Sequence, residues 1–102
     1  MVAFVILHYK NLADTLECIS SIEKLLGSKK IIVVDNCSLN LSEKKQLQSC
    51  CDKLICLKQN RGFAEANNIG CKFAIKNYNP DFLIVINNDT IINQKDFLKI
   101  IQ

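Results

Sequence analysis

DFLIVINNDT, residues 81–90, is an apolar run that stops abruptly at two asparagines and an aspartate. The apolar part is continuous rather than alternating, which is how a strand buried on both faces of a parallel sheet reads. Three more runs of the same kind precede it: VAFVIL (2–7), KIIVVD (30–35) and LICL (54–57). Helical patterns lie between them. In NLADTLECISSIEKLLGS, Leu12, Leu16, Ile19, Ile22 and Leu26 recur at helical spacing. Asn11 suits the N-cap, Asp14 the positive first turn and Gly27 the exit. Residues 42–51 predict a shorter helix begun by Ser42. Residues 62–77 put Phe63, Ala66, Gly70, Phe73 and Ala74 on one face, and the small residues would let that helix lie close to a sheet. Pro80, the only proline, marks the turn into the fourth strand. Asn93 is placed to cap a last helix that buries Phe97, Ile100 and Ile101.

The predicted order is therefore β-α-β-α-β-α-β-α. Such alternation argues for an α/β protein with a mostly parallel sheet, helices on both faces and right-handed crossovers. The 102 residues suffice for one small domain, and the 49 % apolar and 23 % charged content is that of a globular chain. A net charge of +3, with lysines scattered along the chain, does not suggest nucleic-acid binding. The six cysteines form no CxxC pair and have one histidine, His8, among them, so zinc spacing is absent. Most lie in apolar stretches, where a reduced cysteine acts as a small hydrophobe. The expected compartment is the reducing cytoplasm. MVAFVILHYK lacks the basic start of a signal peptide, and no run approaches a membrane span.

In open α/β sheets ligands bind beyond the carboxyl ends of the strands. Here those ends carry His8-Tyr9-Lys10-Asn11, Asp35-Asn36-Cys37-Ser38, Asn60-Arg61-Gly62 and Asn87-Asn88-Asp89-Thr90. Any one of these is an ordinary turn sequence. Their convergence on one rim is what points to a site. Asp89 could supply a carboxylate to Mg²⁺ or Mn²⁺ on a diphosphate. Arg61 and the amides at the start of the 62–77 helix could face phosphate. Asp35 or Asn36 could meet the edge of a pyrimidine, with Tyr9 stacked on it. His8 reads as a packed or turn residue. The sequence has no GxGxxG after the first strand, no GxxxxGK[ST] and no GxSxG. It also lacks the acidic partners that a phospho-receiver aspartate needs at the first strand.

FVILHYKN, IIVVDNCS, NRGFAEANNIG and FLIVINNDT, in this order and at these intervals, resemble the N-terminal nucleotide-binding half of family 2 glycosyltransferases, in particular the rhamnosyltransferase-like branch. The resemblance runs over essentially the whole chain. It implies a GT-A fold, which is a Rossmann-like sheet, binding a nucleotide-diphosphate sugar such as a UDP- or dTDP-sugar with a divalent metal, Mn²⁺ or Mg²⁺. By the resemblance, Tyr9 stacks on the base, Asp35 and Asn36 read it, Arg61 lies near base or phosphates, Asn88 lies near the ribose and Asp89 ligates the metal. Asn87 is an amide where many members carry a carboxylate, and one carboxylate makes a weaker metal site than two.

Transferring members of the family continue well past residue 102, into an acceptor site for a glycan or lipid-linked sugar and an acidic general base. Asp14, Glu17, Glu23, Glu65 and Asp96 fall on predicted helices as solvated or capping residues, so no catalytic residue is assigned. Residues 1–102 are thus expected to be a donor-binding part, truncated before the acceptor half and inactive alone. The resemblance implies inverting transfer in polysaccharide synthesis, in the cytoplasm or at the inner face of the membrane. The alternatives are a non-catalytic nucleotide-binding half-domain and an α/β domain whose strand tips are only turns. An uncovered sheet edge would favour a homo-oligomer.

Overall fold

The structure is a computed structural model and describes residues 1–92. The helix expected after Asn93 lies outside the described residues. The elements are β1 (Val2–His8), α1 (Leu12–Glu23), β2 (Lys29–Asp35), α2 (Leu41–Gln48), β3 (Lys53–Cys56), α3 (Phe63–Tyr78) and β4 (Phe82–Asn87). The four strands form one sheet in the order β3-β2-β1-β4, and every pair is parallel. The α/β class and the parallel sheet expected from the apolar runs are those observed.

The pleat sorts β1 onto two cores. Val2, Phe4 and Ile6 pack with Cys18, Ile19 and Ile22 of α1 and Leu47 of α2. Ala3, Val5 and Leu7 pack with Ile32 and Val34 of β2 and Ala66 and Ala74 of α3. Helices therefore cover both faces, α1 and α2 on one and α3 on the other. That division follows from the strand order. The chain steps outward from β1 to β3, then α3 carries it back across the sheet to β4. With right-handed crossovers, reversing direction puts the connecting helix on the opposite face. β1, the central strand, is buried at every position.

α3 lies against the strands at Gly70. A Cβ there would stand 2.5 Å from Val5 Cγ1 and 2.8 Å from Val34 Cγ2, so only glycine permits this approach. Asn11 caps α1 by accepting from Asp14 N. α2 begins earlier than Ser42 predicts: Asn40 is its N-cap, in a capping box with Glu43. α1 ends at Glu23, before Gly27, which leaves Leu26 exposed. At the opposite end of the sheet, the Met1 ammonium donates to Asp81 Oδ2 at 2.6 Å, tying the start of β1 to that of β4.

Candidate functional site

Register decides which residues can meet. His8 pairs with Asp35, Asp35 with Cys56 and Leu7 with Asn87, so the strand tips leave the sheet along one edge. The chain departs from β1 toward β2 on one side and returns as β4 on the other, which makes the β1/β4 junction the switch point of the topology. A cavity of about 210 Å³ opens there, lined by Leu7, Tyr9, Phe63, Asn87, Asn88 and Asp89. A larger hollow of about 490 Å³ lies among Ser28, Lys29, Ser49 and Asp52 at the other edge. The carbonyl ends of α1 and α2 point that way and disfavour an anion.

The tips are joined by side-chain hydrogen bonds. Asp35, 2 % exposed, accepts from Ser38 N at 3.0 Å, Ser38 Oγ at 2.9 Å and Leu39 N at 3.2 Å. Asn36, equally buried, accepts from Arg61 N at 2.9 Å and donates to Asn60 Oδ1 at 3.0 Å. Asn60 Oδ1 also accepts from Gly62 N at 2.9 Å. Lys10 N donates to Ser38 Oγ at 2.9 Å, and the Lys10 carbonyl accepts from Asn88 Nδ2 at 3.2 Å. Lys10 and Asn11 reach these partners through consecutive left-handed conformations, φ 58° and 57°.

Of the six residues expected to bind nucleotide or metal, the cavity brings together Tyr9, Asn88 and Asp89. Asp35 and Asn36 lie beside it, engaged in shaping the loops after β2 and β3. Arg61 is outside its lining, and its guanidinium donates to exposed Glu65 at 2.8 Å. Tyr9 is partly exposed, with Lys10 Nζ 5.2 Å from its ring centroid. Among the described residues, no hydrogen bond engages the Asp89 carboxylate. α3 begins at Gly62 with no side-chain cap, so its first amides remain available to an anion.

Burial pushes the His8 imidazole below its ordinary pKa against the opposing charges of Asp35 and Glu43. Burial, with the nearby Asp89 charge, pushes the Cys18 thiol up to about 11. Both groups are therefore neutral near pH 7. Cys51 is pushed up to about 12 in the same way, chiefly by burial. All six cysteines are free.

A divalent metal would find one carboxylate, Asp89, flanked by the carboxamides of Asn87 and Asn88. No group of three or more His, Cys, Asp or Glu side chains placed to hold a metal ion occurs among the described residues. Such a donor set fits a hard cation that keeps water and takes most of its remaining ligands from substrate phosphates, as Mg²⁺ and Mn²⁺ do.

The sequence reading gives no role in the site to Phe63 and Thr15, and places Ser38 and Asn60 at the strand tips without one. Phe63 was expected on the buried face of α3, but it is 64 % exposed and forms a wall of the cavity. It stands in the first turn of α3, beyond the edge of the sheet. Thr15 joins the tips from inside α1, where a helical threonine gives no signal of its own.

Residues 3–102 match the model of glycosyl transferase family 2. The chain belongs to this family. The chain also resembles solved structures. TarS of S. aureus, residues 1–349, matches at a TM-score of 0.76 and 21 % identity, over 98 % of this chain and 30 % of that one. The same protein in complex with UDP matches at 0.74 and 19 %, over 98 % and 30 %. The mannosyltransferase PcManGT from Pyrobaculum calidifontis, in complex with GDP-Man and Mn²⁺, matches at 0.75 and 18 %, over 95 % and 30 %. At these identities the likeness shows the fold, a Rossmann-like GT-A sheet. The chain spans about 30 % of the length of these relatives. No curated protein matches it.

Proposed function

We propose that residues 1–102 are the donor-binding part of a glycosyltransferase, holding a nucleotide-diphosphate sugar with Mn²⁺ or Mg²⁺. The observation that carries this is the cavity at the β1/β4 switch point, which unites an aromatic ring, a carboxamide and a carboxylate that no hydrogen bond engages among the described residues. Tyr9 would stack on the base, Asn88 would meet the ribose and Asp89 would ligate the metal. The uncapped start of α3 would face phosphate. The buried Asp35 and Asn36 would act on the base mainly by fixing the rim beside it, and Arg61 would reach phosphate by leaving Glu65. When bound, the metal supplies charge that steadies the diphosphate leaving group. The complexes of the fold relatives with UDP and with GDP-Man and Mn²⁺ support this reading.

Asp89 is the one acidic residue lining the cavity among the described residues. Among the described residues no second acid lines the cavity to deprotonate an acceptor hydroxyl, and we do not expect residues 1–102 alone to transfer to a glycan or lipid-linked acceptor. No described helix is long and apolar enough to cross a membrane. We place the chain where nucleotide sugars are made, in the cytoplasm or at the inner face of the membrane.

The test is calorimetric titration with UDP, dTDP and GDP, each with and without Mn²⁺, on the wild type and Asp89→Ala. Metal-dependent binding weakened at least about tenfold in the variant is expected, the scale of one lost charged contact. Binding that ignores both the metal and Asp89 would overturn the assignment.

A further inference from the structure

Thr15 stands in α1 with its side chain buried. Its Oγ1 lies 2.5 Å from His8 Nδ1 and 3.1 Å from Asn88 Nδ2. The Asn88 amide nitrogen also lies 3.2 Å from the Lys10 carbonyl. A carbonyl oxygen can only accept, so Asn88 must turn its NH₂ to Lys10 and Thr15. Both amide protons are then committed to the fold. The hydroxyl proton of Thr15 cannot go to Asn88, which is itself a donor there. The remaining side-chain partner is His8 Nδ1, which accepts it in the tautomer that carries the ring proton on Nε2. In that tautomer the order of donation is Asn88 to Thr15 to His8.

We infer that Thr15, backed by His8, is a positioning residue that locks the Asn88 carboxamide with its oxygen as the group left for a ligand. This inference rests on the nucleotide-site reading and deepens it. Asn88 then presents an acceptor and no donor, so it selects a ligand that brings a hydroxyl. In a nucleoside diphosphate that hydroxyl is on the ribose. With Thr15 removed, the amide is held by the Lys10 carbonyl alone, and the preference for a hydroxyl weakens. His8 sits where its neutral form is needed, and its burial favours that form.

The test compares UDP with its dideoxy counterpart, which lacks both ribose hydroxyls, in the presence of Mn²⁺. Wild type is expected to prefer UDP by about three- to tenfold, the range of one neutral hydrogen bond. Thr15→Val should still bind UDP yet lose most of that preference, and Thr15→Ser should restore it. A folded Thr15→Val that keeps the wild-type preference would overturn the inference and leave the nucleotide site standing. Absence of binding to either nucleotide by the wild type would overturn both. Should Thr15→Val not fold, nitrogen NMR of His8 in the wild type decides: a bare Nδ1 supports the chain of donation, and a protonated Nδ1 at neutral pH overturns it.

Discussion

Asp35 shows how a single strand-tip side chain can serve as scaffold. Its buried carboxylate takes three hydrogen bonds from the 38–39 backbone and the Ser38 hydroxyl. Asp35→Asn would point an NH₂ group at one of these donors. The expected cost is about 1–3 kcal/mol, read as a lower urea midpoint. His8 gives a prediction in pH. Its folded pKa is below the ordinary 6.5, so between the two values the unfolded state binds more protons. Its contribution to stability is therefore present above 6.5 and is lost as pH falls through the folded value. Denaturation midpoints should drop on acidification below 6.5, and His8→Gln should flatten that part of the profile. The convergence of these tips on one edge was legible, because four apolar runs each end in small polar residues. Which tips turn inward was not. Asp35 and Asn36 are held by a loop that passes through Cys37 at φ 65°, a conformation that residue type alone does not announce.

α3 is the element on which the spacing of small residues matters most. Gly70→Ala would press a Cβ against two β-branched side chains on different strands, both too stiff to yield. Overpacking of this kind costs about 1–3 kcal/mol, partly offset by about 1 kcal/mol of better helix propensity. A net loss of stability in chemical denaturation is expected, and Val5→Ala in the same chain should recover part of it. The close fit was legible from Ala66, Gly70 and Ala74 at helical spacing. The exposure of Phe63 was not, since a periodic pattern does not reveal how far a helix overhangs its sheet. α2 was misjudged for a different reason. Asn40 and Ser42 are both good caps, and only the reciprocal bonds with Glu43 decide between them. Asn40→Ala should cost about 1 kcal/mol, against little for Ser42→Ala.

For the whole molecule, β4 is an edge strand among the described residues, and Phe82 and Val85 on it are each 42 % exposed. An apolar strand edge is a template for pairing. Concentration-dependent self-association is expected in sedimentation, and Val85→Lys should suppress it without lowering stability by more than about 0.5 kcal/mol. The two strands that flank the cavity are the first and the last of the described sheet, and their starting ends join residues 80 apart in the chain. On the ribosome this separation becomes time. β1, β2 and β3 emerge in the order in which they pair outward, while the other edge of β1 has no partner until β4 is made. At ordinary synthesis rates that wait is roughly ten seconds. Once VAFVIL has emerged, a nascent chain of this sequence thus shows one open edge of it to chaperones for that time, and the cavity between β1 and β4 forms only as β4 docks.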